Sequence, residues 1–301
     1  MRSIRHRLVG VVAVVGAFVA STGAADPRVH VVRHVRVAPA ASSTSVMSTN
    51  VSSAGDVNGD GRNDLLAFNP ATDEVRLYRG TGAATFGYGR LATLITSDPE
   101  ARIFPGGTYY SRPGFLAVVN SDSWLYGYGL DRAGDESCCG PVAPGWGLRF
   151  LDGHADFTGD GIADAVGVTS SGYGYLYRGR GDANASFTHG TRIASGWATM
   201  RVVFAATDVT GDRRADLLGV DSAGVLWIFP GTGKGTFTPK RKVGSGWGGL
   251  GALFSARDVT GDGRVDLGAI TSTGTLRIYK GRGDGTFSSA VAVSSGWAPY
   301  L

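Results

Sequence analysis

From about residue 50 to its end, the chain alternates short apolar runs with turns rich in Gly, Asp, Ser and Thr. The apolar–polar alternation in Leu276-Arg-Ile-Tyr279 and the run Val225-Leu-Trp-Ile-Phe229 predict half-buried β-strands rather than helices. In the last stretch four such strands are expected, at 252–256, 266–271, 275–280 and 289–294. No apolar pattern of helical period is long enough to compete.

The pattern repeats. Asp56-Val-Asn58-Gly-Asp60-Gly-Arg62-Asn-Asp64 recurs as Asp156-Phe-Thr158-Gly-Asp160-Gly-Ile162-Ala-Asp164. The third copy is Asp208-Val-Thr210-Gly-Asp212-Arg213-Arg214-Ala-Asp216, and the fourth is Asp258-Val-Thr260-Gly-Asp262-Gly-Arg264-Val-Asp266. The first aspartates lie 100, 52 and 50 residues apart, so the period is about fifty and one copy is concealed. Gly114-Phe-Leu-Ala-Val118 stands fifty residues after Asp64-Leu-Leu-Ala-Phe68, and the loop before it has lost its carboxylates. Gly-Trp pairs keep the same beat at Trp146, Trp197, Trp247 and Trp297. Five units result, at about 50–98, 99–147, 148–198, 199–248 and 249–301. Four strands per fifty residues, repeated, predict an all-β propeller of about five four-stranded blades. One such sheet cannot bury both faces alone, so neighbouring blades must supply the core.

Composition refines this picture. Glycine, 48 of 301 residues, is about twice its usual share without a collagen period, which suits tight turns. The formal charge of +4 includes Arg2, Arg5 and Arg7; without them 26 basic residues face 25 acidic ones, and no basic stripe points to nucleic acid. Those arginines precede an apolar stretch, 8–20, and a small-residue exit, 21–25. That order reads as a signal peptide over residues 1–25, hence secretion, and no other segment reaches transmembrane length. Residues 26–49 carry alternating valines and then small polar residues, as either a linker or a docking strand. Cys138 and Cys139 are adjacent, which leaves a vicinal disulfide and two thiols both open.

The aspartate spacing carries chemistry. In a tight loop, residues 1, 3, 5, 7 and 9 surround one centre, with glycine at 6 allowing the bend. Here the set is Asp56, Asn58, Asp60, the carbonyl of Arg62, and Asp64. In the other copies it is Asp156, Thr158, Asp160, Ile162 and Asp164; Asp208, Thr210, Asp212, Arg214 and Asp216; and Asp258, Thr260, Asp262, Arg264 and Asp266. Oxygen-only donors with three carboxylates select calcium over softer metals. An Asx-turn that uses Asp and Gly for backbone reasons alone is the alternative. Three to four calcium sites are expected, the third weakened by Arg213 where glycine belongs.

These loops run straight into strands, and the D-x-[NT]-G-D-G-x-x-D signature resembles the FG-GAP (VCBS-type, integrin α-like) propeller repeats over nearly the whole mature chain. The resemblance implies calcium in the four loops, with a structural role. Integrin-like propellers and related fungal lectins typically have seven blades. The five units here leave open a closed ring or an incomplete one finished by self-association.

For function, the resemblance implies an extracellular binding module. The fungal lectins suggest carbohydrate or cell-envelope polysaccharide as ligand, and the integrin α chains suggest a protein-interaction or adhesion role instead. The indoles of Trp146, Trp197, Trp247 and Trp297 suit either sugar stacking or packing between blades. Trp124, Tyr126 and Tyr128 crowd the second unit, whose loop lacks carboxylates, and Tyr173, Tyr175 and Tyr177 follow in the next. Two Arg-Gly-Asp tripeptides, at Arg180 and Arg282, occupy a turn whose glycines recur in sister units, so the turn explains them. No Ser, His and carboxylate grouping independent of the repeat stands out, so no catalytic residue is assigned and an enzyme is not expected. A glycosidase in the central channel is the remaining alternative.

Overall fold

A computed structural model describes residues 47–94, 102–109, 112–119, 123–182 and 186–301. The expected signal peptide and residues 26–46 of the expected linker lie outside them. All described residues belong to one compact unit.

Twenty strands form five antiparallel sheets, each a meander of four consecutive strands. Blade 1 is β1 (Val51–Gly55), β2 (Asp64–Asn69), β3 (Glu74–Tyr78) and β4 (Arg90–Leu94). Blade 2 is β5 (Arg102–Tyr109), β6 (Arg112–Val119), β7 (Trp124–Leu130) and β8 (Glu136–Ala143), and blade 3 is β9 (Phe150–Ala155), β10 (Asp164–Val168), β11 (Gly174–Tyr177) and β12 (Thr191–Ala194). Blade 4 is β13 (Met200–Ala206), β14 (Asp216–Asp221), β15 (Val225–Phe229) and β16 (Arg241–Ser245). Blade 5 is β17 (Leu250–Arg257), β18 (Asp266–Thr271), β19 (Leu276–Tyr279) and β20 (Val291–Ser294).

The first strands of the blades, β1, β5, β9, β13 and β17, stand side by side in that order, and β17 returns to β1. The ring is therefore a closed five-blade propeller, and self-association is not required to complete it. Burial falls outward along blades 1, 3, 4 and 5. First and second strands such as Phe150–Ala155 and Asp164–Val168 are buried throughout, because neighbouring blades cover both faces. Third strands alternate, as the pattern of Glu74–Tyr78 and Leu276–Tyr279 requires, and fourth strands such as Val291–Ser294 are largely exposed.

Among the described residues no blade mixes strands from the two ends of the chain, so side chains and short backbone contacts close the seam between blades 5 and 1. Met47 is buried and its N–H bonds the carbonyl of Arg201, while Ser48 N–H bonds Gly251 O at 2.8 Å. Ser48 Oγ donates to Tyr300 O at 2.8 Å. The end of the 26–49 segment thus docks on the inner strands of blades 4 and 5. At the seam, Trp297 packs on Tyr78 with ring centroids 4.5 Å apart, and the Tyr78 and Tyr300 hydroxyls share a short hydrogen bond. No helix among the described residues is long and apolar enough to cross a membrane.

Candidate functional site

Each aspartate loop joins the first and second strands of its blade, and its carboxylates work on the backbone. The aspartate at position 1 accepts the N–H groups that follow it. Asp258 Oδ1 takes Gly261 N (2.6 Å) and Asp262 N (3.1 Å), and its Oδ2 takes Gly263 N (2.7 Å). Asp56, Asp156 and Asp208 repeat the arrangement. Asp60, Asp160, Asp212 and Asp262, at position 5, each accept the N–H of position 7, at Arg62, Ile162, Arg214 and Arg264.

Position 9 is different. Asp64, Asp164, Asp216 and Asp266 are fully buried. One oxygen of each accepts the N–H of position 2, from Val57, Phe157, Val209 or Val259. The other accepts a glycine N–H just beyond the third strand, from Gly80, Gly179, Gly231 or Gly281, at 2.9–3.0 Å. A Cβ on any of those glycines would collide with the carbonyl oxygen of Asn63, Ala163, Ala215 or Val265, which explains why glycine recurs there. Burial pushes all four carboxyls above their ordinary pKa, against the backbone hydrogen bonds that pull them down; the nearby position-5 carboxylate adds repulsion for Asp64, Asp164 and Asp216.

The glycine turns also lock blade to blade. Gly235 N–H of blade 4 bonds Phe157 O in the loop of blade 3, Gly285 N–H bonds Val209 O, and Ala84 N–H bonds Val259 O across the seam. The two Arg-Gly-Asp sequences lie in this turn, where Asp182 and Asp284 accept the N–H of Ser186 and Thr286.

The donor set of the loops fits a hard cation. Within each loop stand three carboxylates and an Asn or Thr oxygen, and the buried Thr210 Oγ1 and Thr260 Oγ1 lie beside the carboxylates of Asp216 and Asp266. Among the described residues, however, no three acidic, His or Cys side chains already converge on a single point. The third loop keeps the shape of its sisters: Arg213 takes φ +64°, close to the +81° to +83° of Gly61, Gly161 and Gly263. Blade 2 has no such loop, its first two strands pairing directly from Arg102 to Tyr109.

The Gly-Trp residues are wedges between blades. Trp146 packs on Tyr177 at 4.6 Å, Trp197 on Phe229 at 5.1 Å, Trp247 on Tyr279 at 4.6 Å, and Trp297 on Tyr78. Every partner ends the third strand of the following blade. Trp146, Trp197 and Trp297 are buried and Trp247 is half-buried, so the packing role describes them and little indole surface remains for a ligand. Tyr128 is buried against Leu130 and Ile103, while Trp124 and Tyr126 are half-buried on β7.

Aromatic surface does emerge on or beside the third strands of blades 3 and 4. On blade 3, Tyr173, Tyr175 and Tyr177 occupy every second position; Tyr177 meets Trp146, and Tyr173 at the outer end is 40 % exposed with Arg192 at 5.6 Å over its ring. On blade 4, Trp227 Nε1–H bonds Asp221 Oδ2 at 2.8 Å, and Lys240 Nζ lies 4.0 Å over the indole.

One grouping was not expected. Inside the ring, His154 Nδ1–H donates to Asp152 Oδ1 at 2.7 Å, and Asp152 Oδ2 accepts Ala205 N–H of the next blade at 2.9 Å. His154 Nε2 and Ser52 Oγ, both buried, face a cavity of about 20 Å³ that also touches Val203 and Ser255. That is room for about one water molecule, far short of a sugar ring. The sequence signal was faint: Asp152 and His154 stand where sister blades carry Phe204 and Ala206, or Phe254 and Ala256.

The comparisons agree with this architecture. An FG-GAP-like repeat model matches residues 156–219 and 208–269, and an FG-GAP repeat model matches 49–86. No curated protein matches the chain. Among solved structures, the chain is similar to the BP39L lectin of Burkholderia pseudomallei (13 % identity, 81 % of this chain, 69 % of that one, TM-score 0.50). It is also similar to a triple arginine-to-alanine mutant of AofleA from Arthrobotrys oligospora (11 %, 84 % and 74 %, TM-score 0.51). An Agrocybe aegerita lectin that recognises non-reducing terminal N-acetylglucosamine matches with 21 % identity, 81 % and 67 % coverage and TM-score 0.46.

Proposed function

This chain is an FG-GAP-type β-propeller, and on that premise we propose that it is a secreted binding protein whose ligand is a carbohydrate taken in the grooves between blades. The observation that carries the reading is the tyrosine ladder of blade 3. Tyr173 is 40 % exposed and Tyr175 half-buried on one side of the blade, where the apolar face of a pyranose would stack on the ring face left open, and Arg192 beside Tyr173 would supply donors for hydroxyl or carboxylate groups. The similarity in fold to the Burkholderia lectin lends support. Calcium would be held by the four aspartate loops at positions 1, 3, 5, 7 and 9. Once bound it would neutralise three clustered carboxylates and stiffen the turns that lock the blades, leaving ligand contact to the groove.

A glycan and cell-wall polysaccharide array, read in millimolar calcium and again in EGTA, tests the reading. Binding to a defined sugar that falls at least tenfold in Tyr173→Ala and Arg192→Ala, with both variants folded, is the expected result. A silent array from folded protein would overturn the carbohydrate reading and point to a protein ligand.

A further inference from the structure

In an antiparallel pair, opposite residues stand on the same side of the sheet, so the register shows what flanks each third-strand side chain. Two residues before the ring on which each Gly-Trp indole packs stand Arg76, Tyr175, Trp227 and Arg277, with Tyr126 at the matching place of blade 2. Their partners on the fourth strands are Leu91, Arg192, Lys242, Ala292 and Pro141. Only blades 3 and 4 therefore pair an aromatic ring with a cation there. The Arg192 guanidinium also lies 5.6 Å from the centre of the Tyr173 ring, and Lys240 Nζ lies 4.0 Å from that of Trp227. Arg192, Lys240 and Lys242 are all exposed.

Cations on an outer strand also keep one sheet edge from pairing with another, and that role alone asks for them on every blade. Their distribution is uneven instead. Outside the aspartate loops, residues 148–248 of blades 3 and 4 carry nine Arg and Lys against three acidic residues, whereas unit 50–98 has three against three and unit 99–147 three against five. Two of those three acids are already engaged. Asp152 is buried against His154, and Asp221 accepts Trp227 Nε1–H and the N–H groups of Ala223 and Val225. Blade 5 carries four against one outside its loop, but it sets Arg277 opposite Ala292 rather than an aromatic ring opposite a cation.

We propose that the ligand is an acidic polysaccharide whose sugars carry a carboxylate on the ring, a polyuronate, held by blades 3 and 4 together. This inference rests on the carbohydrate reading and names the class of sugar. Charge complementarity selects it. The separations of 5.6 Å and 4.0 Å between cation and ring centre are about the width of one pyranose, so the negative charge belongs on the same sugar that stacks. A ring carboxylate meets that demand, whereas a phosphodiester between sugars would lie beyond the cation. The planar fork of Arg192 matches a carboxylate with two parallel hydrogen bonds, and Lys240 and Lys242 act as point charges beside Trp227. The two ring-and-cation pairs stand on consecutive blades, so one chain engages both and gains avidity from the second.

Calorimetric titration of the purified protein with hexamers of galacturonate, glucuronate and mannuronate tests this, each beside its carboxyl-reduced, neutral counterpart. Salt is held at about 0.15 M, where charges farther apart than roughly 8 Å are screened. At least one acidic hexamer should bind tenfold or more tighter than its neutral form. Arg192→Gln, and the double variant Lys240→Gln with Lys242→Gln, should each weaken that binding at least tenfold. Arg241→Gln removes a cation from the same outer strand but on the side of Ile228, and should leave it unchanged. Neutral hexamers that bind as tightly as acidic ones overturn the proposal, as does equal binding of duplex DNA or poly(glycerol phosphate), which would mark a charge effect alone. Acidic binding that Arg241→Gln lowers as much as Arg192→Gln does overturns it too. Absence of binding to all three acids, with another sugar bound on the glycan array, overturns the acidic ligand and leaves the carbohydrate reading standing; a silent array removes both.

Discussion

Asp216 and Gly231 hold blade 4 together across its third turn: Oδ1 of the buried carboxylate accepts the glycine N–H at 3.0 Å, while the glycine Cα lies against the carbonyl of Ala215. The carboxylate is thus a bridge between the aspartate loop and the turn that reaches the preceding blade. Gly231→Ala forces the two apart, because the new methyl would strike backbone rather than a movable side chain. We expect a loss of about 3 kcal/mol in urea unfolding, at the upper end for overpacking. A variant as stable as the parent would show that the close approach carries no weight.

Arg213 is the opposite case, a side chain where the backbone wants none. Its φ of +64° costs an L-residue about 1–2 kcal/mol, partly recovered because glycine would have more freedom to lose on folding. Arg213→Gly should therefore stabilise the protein by about 0.5–1 kcal/mol, read as a higher urea midpoint with unchanged slope.

The proposal of calcium in the loops has a quantitative consequence. With free calcium at ~2 mM and a dissociation constant of ~10⁻⁴ M, each occupied site contributes roughly 1.8 kcal/mol by mass action. EGTA should lower the unfolding midpoint accordingly, and Asp258→Asn with Asp262→Asn should remove one site's share of the calcium effect. A midpoint indifferent to calcium would leave the loops as hydrogen-bonded turns alone.

Much of this fold was legible because its repeat writes the same physical demand four times. The position-9 aspartate and its glycine partner recur 15 or 16 residues apart, as in Asp216 and Gly231 or Asp64 and Gly80, and a single geometry accounts for both. Strand ends were less legible. The strand expected at 252–256 runs from Leu250 to Arg257, because bulges at its two ends extend pairing beyond the simple alternation. That expected at 275–280 shortens to Leu276–Tyr279, because Thr275 N–H turns to Thr271 Oγ1 and Lys280 N–H to Ser288 Oγ. The Gly-Trp pairs were visible but ambiguous: Trp146 finds Tyr177 only once a neighbouring blade is in place. The Asp152–His154 pair was hidden for the opposite reason, since it belongs to no repeat and its partner, Ala205, contributes only backbone.

Acid should act on blade 4. Burial raises the Asp221 carboxyl, but the Trp227 indole N–H, the N–H groups of Val225 and Ala223 and the charge of Lys240 outweigh it, so the group sits below its ordinary value of 3.8. A carboxyl depressed in the folded state stabilises it fully above the unfolded pKa, and that contribution fades as pH falls through the folded one. The stability gap between the parent and Asp221→Asn should therefore be present at pH 6 and closed near pH 2, measured by urea unfolding at both. A gap that persists at pH 2 would assign the effect to the hydrogen-bond geometry rather than to charge.

The seam between blades 5 and 1 differs from the other four in lacking a covalent connection, and Trp297 is the side chain that bears on it most. It is 4 % exposed, contacts Tyr78 and Tyr300, and donates from Nε1 to Ser294 Oγ at 2.9 Å. Trp247 makes the same contact with Tyr279 between blades 4 and 5, but there the chain itself runs on from β16 to β17 and the indole is only half-buried. Trp297→Ala should cost about 3–5 kcal/mol, the range for a large buried aromatic. Trp247→Ala should cost clearly less. The same geometry predicts how the ring fails: once Trp297 no longer covers Tyr78, the Ala84–Val259, Ser48–Gly251, Ser48–Tyr300 and Asn63–Asp258 bonds are left to hold the seam against water. Opening should then begin there, seen as faster amide exchange at Ala84 than at Gly235 and Gly285, its counterparts at two chain-linked seams. Equal costs for the two tryptophans, or uniform exchange at the three amides, would mean that the ring opens without regard to where the chain begins and ends.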